Sequence, residues 1–182
     1  MDKNNPEGSG TFSLNRTANS PVGSCSVATG YNVIANGMAA HAEGYSTAAA
    51  NVASHAEGRD TQANGIGSHA EGWTTDARGQ WSHAEGNNTV AAGFSQHTQG
   101  KYNVEDSSSK YAHIVGNGNS VNDRSNAHTL DWNGLGWFKG GLKIGGTSQD
   151  DTDAKEIATT EYVNNAAAQK SQVQIITWGA DD

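Results

Sequence analysis

From Val27 to Gly100 the chain has no regular spacing of large apolar side chains, yet its alternation of small and polar positions is strictly periodic. In "SHAEGRDTQANGIG", Ser54 to Gly67, two short stretches of alternating residues each close on a glycine. The unit recurs every 14 residues. His41, His55, His69, His83 and His97 share one slot, which Val27 takes one unit earlier, and Glu43, Glu57, Glu71 and Glu85 follow two residues on. Gly30, Gly44, Gly58, Gly72, Gly86 and Gly100 close that stretch. Half a unit away Thr47, Thr61, Thr75 and Thr89 precede Ala35, Ala49, Ala63, Ala77 and Ala91, and Gly37, Gly65, Gly79 and Gly93 close, with Asn51 filling one slot. Two glycine punctuations per unit predict strand, turn, strand, turn. That is too short for a helical repeat and fits one coil of a β-solenoid.

Alternation along a strand puts His and Glu on one face and Ser and Ala on the other, while Thr and Ala share a face on the second strand. Because Ser, Ala and Thr are small, the inside of such a coil is expected to be flat and narrow. A coil that thin buries too little to stand alone, so further copies of the chain are expected to supply the missing burial. Thr hydroxyls are expected to hydrogen-bond from coil to coil inside the roll.

Composition agrees with stacking rather than with a thick core or a disordered chain. Only 34% of the 182 residues are hydrophobic, whereas 2 prolines, 5 tryptophans and a 16% charged fraction do not describe an expanded chain. A net charge of −8 leaves no basic footprint, so neither nucleic acid nor an anionic lipid surface is expected as a partner. Cys25, the one cysteine, excludes an intramolecular disulfide framework and is expected to be a small buried residue. "MDKNNPEGSGTF" does not read as an export signal, and no run of about 18 apolar residues predicts membrane insertion.

With "SVATG" at Ser26 to Gly30 beside the "SHAEG" units, the segment resembles the head repeat of trimeric autotransporter adhesins. The "SHAEG" form is similar to repeats in tail-fibre and appendage proteins of phages and prophages of Gram-positive bacteria. The resemblance covers about Gly10 to Gly100. It implies an all-β, left-handed parallel β-roll with 14-residue coils in an intertwined homotrimer. In the adhesin heads Val and Ile fill the trimer centre on this strand, so the resemblance places the His and Glu ladder there, His of one chain donating to Glu of another. Such pairing is expected to raise the His pKa and to depress the Glu pKa, with stability highest in mildly acidic solution.

The remaining organisation follows from composition shifts. Residues 1–22 read as an N-terminal cap of degenerate coils, 23–100 as the β-roll head, and 101–150 as a β-rich connector with short strands in "YAHIVG", "AHTLDW" and "GWFKGGLKIGG". Residues 151–170 read as a short stalk helix, with Asp153 and Glu156 as a capping box, and 171–182 as a terminal strand and tail.

A repeated His and Glu pair could chelate zinc or exchange protons, but one motif recurring in successive coils argues for structure, so no metal and no cofactor is expected. His113, His128 and Asp131 make a metal set only on paper. Tyr45, Arg59 and Trp73 occupy a slot the coil does not dictate, and Trp81 and Phe94 lie near the other turn. These five are expected to face a neighbouring chain or a ligand. The expected function is a structural, non-enzymatic homotrimeric fibre or adhesin module of a phage or phage-like particle. It would be made in the bacterial cytoplasm, reside on the virion or an extracellular particle, contact other particle or fibre proteins, and display a surface to a host receptor such as a glycan. Two alternatives are a glycan depolymerase fibre with an inter-chain carboxylate site, for which Asp131 beside Trp132 is the candidate, and a cell-surface adhesin head.

Overall fold

A computed structural model of the chain describes residues 22–140 together with three short strands at Phe12–Leu14, Lys143–Ile144 and Lys155–Glu156. The described residues are all-β, with no helix and therefore none long and apolar enough to cross a membrane. After β1 (Phe12–Leu14), each coil contributes a five-residue strand and a two-residue strand. The long strands are β2 (Val27–Tyr31), β4 (His41–Tyr45), β6 (His55–Arg59), β8 (His69–Trp73), β10 (His83–Asn87) and β12 (His97–Lys101). Between them lie the short strands β3 (Ile34–Ala35), β5 (Ala48–Ala49), β7 (Gln62–Ala63), β9 (Asp76–Ala77) and β11 (Val90–Ala91). Long strands pair only with long and short only with short, in parallel and in register, so that His55 faces His69 and Ala63 faces Ala77. This is the parallel β-solenoid that the 14-residue period predicts.

Two backbone features make the coil. A residue in the left-handed region recurs every seven positions: Cys25, Asn32, Ala39, Ser46, Ala53, Asp60, Gly67, Thr74, Trp81, Asn88, Ser95, Tyr102 and Ser109. Both turns of the coil are thus built alike although their sequences differ. Placing a non-glycine residue there costs about 1–2 kcal/mol, which Asn and Asp relieve and Thr74 or Trp81 does not, so stacking of the coils must offset it. The second feature is close backbone approach. Gly72 sits at φ +107° with its Cα against the next coil, where a Cβ would run into the carbonyl oxygen of Gly86. Gly79 has an ordinary φ, but a Cβ there would strike the Gly93 carbonyl.

The core is one methyl deep. Ala28, Ala42, Ala56, Ala70 and Ala84 from the long strands meet Ala35, Ala49, Ala63, Ala77 and Ala91 from the short ones, all fully buried. Buried serines close the turns: the hydroxyls of Ser26, Ser68 and Ser82 donate to the carbonyls three residues back, at Gly23, Gly65 and Gly79, and Ser54 donates to Asn51. The threonines differ from expectation. Thr89 donates to the Glu85 carbonyl, but the buried hydroxyls of Thr47, Thr61 and Thr75 have no partner. The neighbouring coils' backbone groups are already spent on the ladder, for Ala48, Gln62 and Asp76 donate their N–H groups to the carbonyls of Thr61, Thr75 and Thr89. Cys25 also departs from expectation, since its left-handed turn carries it outward and the thiol is exposed.

The solenoid ends through side chains that imitate a further coil. Asn103 stands in the threonine slot, fully buried, and its Oδ1 accepts from Val90 N–H where a backbone carbonyl served in each earlier coil. Its Nδ2 donates back to the Val90 carbonyl. Gln96, in the serine slot, accepts from the N–H groups of Ala92 and Gly93 and donates to Asp106 and to the Tyr111 carbonyl. Only the short-strand sheet stops here. The long-strand sheet runs on into β13 (Tyr111–Asn117), parallel to β12, then reverses into the antiparallel strands β14 (Asn126–Asp131) and β15 (Gly136–Phe138). Freed of the short sheet, the alanine slot takes a larger residue, and Ile114, paired with Thr98, is the bulkiest fully buried side chain.

Residues 140–182 form a separate unit, described only as the antiparallel pair β16 (Lys143–Ile144) and β17 (Lys155–Glu156). Lys155 and Glu156 were expected to be helical and instead pair as a strand, because their backbone groups find a partner strand rather than an internal ladder. The rest of the expected stalk helix and the terminal strand lie outside the described residues, as does most of the N-terminal cap. Of that cap, β1 pairs in parallel with β2.

Two substitutions separate backbone approach from core polarity. Gly72→Ala forces a Cβ into both a left-handed φ and a neighbouring carbonyl, and is expected to lower stability by more than about 2 kcal/mol in thermal or denaturant melts. Thr61→Val removes an unpartnered hydroxyl at constant shape in a slot that Val33 already fills in the first coil, and is expected to raise stability by about 1 kcal/mol.

Candidate functional site

Parallel, in-register pairing stacks like on like, and the outer face of the long-strand sheet shows the result. The rings of His41, His55, His69, His83 and His97 lie 4.6, 4.7, 4.5 and 4.7 Å apart, nearly coplanar in orientation. The column does not stop with the repeat. His113 stands 5.2 Å from His97, His128 stands 5.5 Å from His113, and Phe138 closes the stack 4.5 Å from His128. All seven histidines of the chain therefore form one column. His113 and His128 escape the sequence pattern because two extra residues precede β13 and the strand after it reverses; their sequence signal is a His two residues into each "YAHIVG" and "NAHTLDW" strand.

Beside the imidazoles runs the carboxylate column of Glu43, Glu57, Glu71 and Glu85, the first three of which, with Thr29, line an open groove of about 550 Å³ floored by Gly30, Gly44, Gly58 and Gly72. The two columns are staggered. Nε2 of His69, His83 and His97 lies 3.8, 3.4 and 3.3 Å from Oε1 of Glu57, Glu71 and Glu85, each in the preceding coil, whereas His41 lies 3.8 Å from Glu43 in its own. None of these is a formed hydrogen bond: Nε2 of His55, His69, His83 and His97 is enclosed and unpartnered. The side chains as a whole stay about one-third exposed, for instance 33% for both His69 and Glu57.

Within the single chain three histidines shift downward, opposite to the direction expected from inter-chain pairing. Burial, then the like charge of His41, pushes His55 below its ordinary value, against the pull of Glu57, Glu43 and Glu71. His69 is lowered by burial and by His83 and His55, and His113 by burial and by His97 and His128. In-chain stacking sets each imidazole between two others, and an unformed hydrogen bond to Glu does not compensate. Asp106 at the solenoid end is held below the usual carboxylate value: burial alone would raise it, but Ser108, the Tyr111 N–H and Gln96 all donate to it.

The slot-variable residues lie where the repeat predicts. Tyr31 and Tyr45 stack 5.1 Å apart, and the Arg59 guanidinium lies over both Tyr45 and Trp73, so one turn carries a row of exposed rings with a cation between them. On the other turn Trp81 meets Phe94 edge-on at 5.4 Å and lays its ring over Gly67, in a row with exposed Met38 and Val52. Asp131 is occupied structurally, its Oδ1 accepting from the N–H groups of Asn133 and Leu135, and Trp132 donates to the Ser109 carbonyl. The pair that could suggest a glycan-cleaving site thus shapes a turn. His113 and His128 meet each other but Asp131 does not join them in a ligand cluster among the described residues.

Comparison of the chain with protein-family models, with curated proteins and with solved structures finds no match. The resemblance to adhesin heads and phage fibres therefore rests on the repeat residues themselves.

The lowered histidine values fix the sign of a pH effect. A group whose folded pKa is depressed leaves the unfolded chain holding more protons, so its contribution is fully present above the unfolded value of about 6.5 and is lost as pH falls below it. Asp106 acts in the same direction at lower pH, present above its unfolded value and lost as pH falls through the depressed one. The melting temperature is expected to be flat from pH 8 to about 7 and to fall steadily below 6.5. A maximum in mildly acidic solution would instead restore the charged His–Glu pairing.

Proposed function

We propose that this chain is a structural, non-enzymatic fibre module of a phage or phage-like particle, three copies packing side by side as left-handed rolls to display a host-attachment surface. The observation that carries this reading is the mismatch between inside and outside. Apart from Val33 and Val90 the apolar side chains that the coils bury are alanines, while Tyr31, Met38, Tyr45, Val52, Trp73, Trp81 and Phe94 stand exposed in rows along the two turns. A core of alanines contributes little on the scale of about 25 cal/mol per Å² of apolar surface, and rows of exposed aromatics are what a neighbouring copy would cover. The staggered His and Glu columns then line the axis, where other chains supply the hydrogen bonds that Nε2 lacks here. Residues beyond the contact, on the outer turn, remain for a host-surface molecule, and no chemistry on that molecule is needed for attachment.

Sedimentation velocity on the full chain tests the assembly: a species of three times the 18.9 kDa chain mass is expected, and a monomer at all concentrations would remove the reading. A pair of variants tests the placement of the ladder. In a trimer core Glu71→Ala strands an imidazole and lowers the melting temperature, while His69→Val with Glu71→Ile, the apolar form of the repeat, restores it. If the ladder faces water, Glu71→Ala costs less than about 1 kcal/mol and the double variant gains nothing.

A further inference from the structure

The four glutamates pose a problem that the single coil does not solve. They stack in one column, the nearest imidazoles stand 3.3–3.8 Å away without a formed hydrogen bond, and among the described residues no Lys or Arg lies within ion-pair distance of any of them. The nearby arginines are taken elsewhere: Arg59 pairs with Asp60, and Arg78 with Asp76 and Glu105. A column of carboxylates flanked by imidazoles whose Nε2 atoms, at His55, His69, His83 and His97, are enclosed and without partners is a donor set without a charge to hold.

We infer that this column binds divalent cations of the zinc class. Three clusters bring ligand atoms within 4.8 Å of one another: Glu43, His55 and Glu57; Glu57, His69 and Glu71; and His83, Glu85 and His97. Atoms bound to zinc at about 2.0–2.2 Å in a tetrahedron sit about 3.4 Å apart. Within the third cradle the His97–Glu85 separation of 3.3 Å already matches that edge, and within the second His69–Glu57 at 3.8 Å needs only a carboxylate rotation. In the first two cradles one neutral imidazole and two carboxylates balance the charge of the ion. In the third the stacked rings must tilt toward each other. A fourth position stays open to water or to a ligand from outside, because the side chains are partly exposed. Each cradle is made within one chain and does not depend on trimer formation.

The shared residue makes a numerical signature. Glu57 belongs to the first two cradles, which would hold two ions one strand spacing, about 4.8 Å, apart with only the three carboxylates of Glu43, Glu57 and Glu71 to balance them, so one ion is expected at this pair. The third shares no ligand with them. Isothermal titration of zinc chloride into the untagged, chelator-stripped full chain is expected to give two ions per chain. Glu57→Gln should reduce this to one, and Glu57→Gln with Glu85→Gln to none, each at least tenfold weaker at the altered cradle. His55→Val with His69→Val, matching Val27 in the same slot, serves if the Gln variant fails to fold and should also leave one ion. Cobalt(II) bound to the native chain should show the intense visible bands of a tetrahedral site. Absence of binding at micromolar zinc, a stoichiometry that none of these variants changes, or a weak octahedral cobalt spectrum overturns the inference.

Discussion

Contact between glycine backbones of successive coils is the constraint from which the rest of this structure follows. At Gly72 and Gly79 no Cβ can exist, because the neighbouring carbonyl occupies its place. Such contact holds only if every coil repeats the last in register, and register in turn decides every side-chain neighbour. The glycines are therefore the reason that His meets His and Glu meets Glu. Equal residues at equal heights give ring stacks at the strand spacing and like-charge columns that no folded coil would choose for their own sake. The recurring left-handed turn is the second half of the same constraint. Its strain at twelve non-glycine positions is tolerable because each turn is held by the coils on either side.

Termination follows the same logic. A stack has an exposed end wherever it stops, and the last short strand would leave Val90 with an unpaired N–H and C=O. Asn103 satisfies both with one amide, and Arg124 donates to the carbonyls of Asn88 and Asn103 just beyond. An asparagine in a threonine slot and a glutamine in a serine slot thus convert a repeat into an end, while the long-strand sheet reverses direction and finishes as a hairpin.

What the sequence made legible was whatever the period carries. The 14-residue unit, its two turns, the inward Ala face and the outward His and Glu face were all readable, since each depends only on residues recurring at one spacing. Properties that depend on what lies across a gap were not. The threonine hydroxyls look like donors in sequence, but their would-be acceptors are consumed by the ladder. The histidine pKa direction needed the distance to Glu, where a formed hydrogen bond would have raised it and an unformed one could not. The end of the column is hidden for a simpler reason: two extra residues before β13 break the period while preserving the stack, so spacing alone does not join His113 and His128 to His97. The turn that Asp131 Oδ1 closes, by accepting from Asn133 and Leu135, has no periodic signal in the sequence. Lys155 and Glu156 have helical propensity and still pair as a strand, an instance of partner backbone overriding a weak local preference.

The outer face then has a logic of its own. Val and Ile at these slots could be buried at no electrostatic cost, so His and Glu there are not explained by packing alone. Stacked imidazoles could be covered by a neighbour nearly as an apolar row can, but a carboxylate column could not be covered unless cations or donors arrived with the covering surface. In-chain imidazoles form no hydrogen bond to the carboxylates, which in the single chain are left partly exposed to water. Any surface that covered the column would have to bring donors or cations of its own. A face that is stable to cover only when such a partner is present makes assembly conditional on that partner, which an apolar face of the same shape would not do.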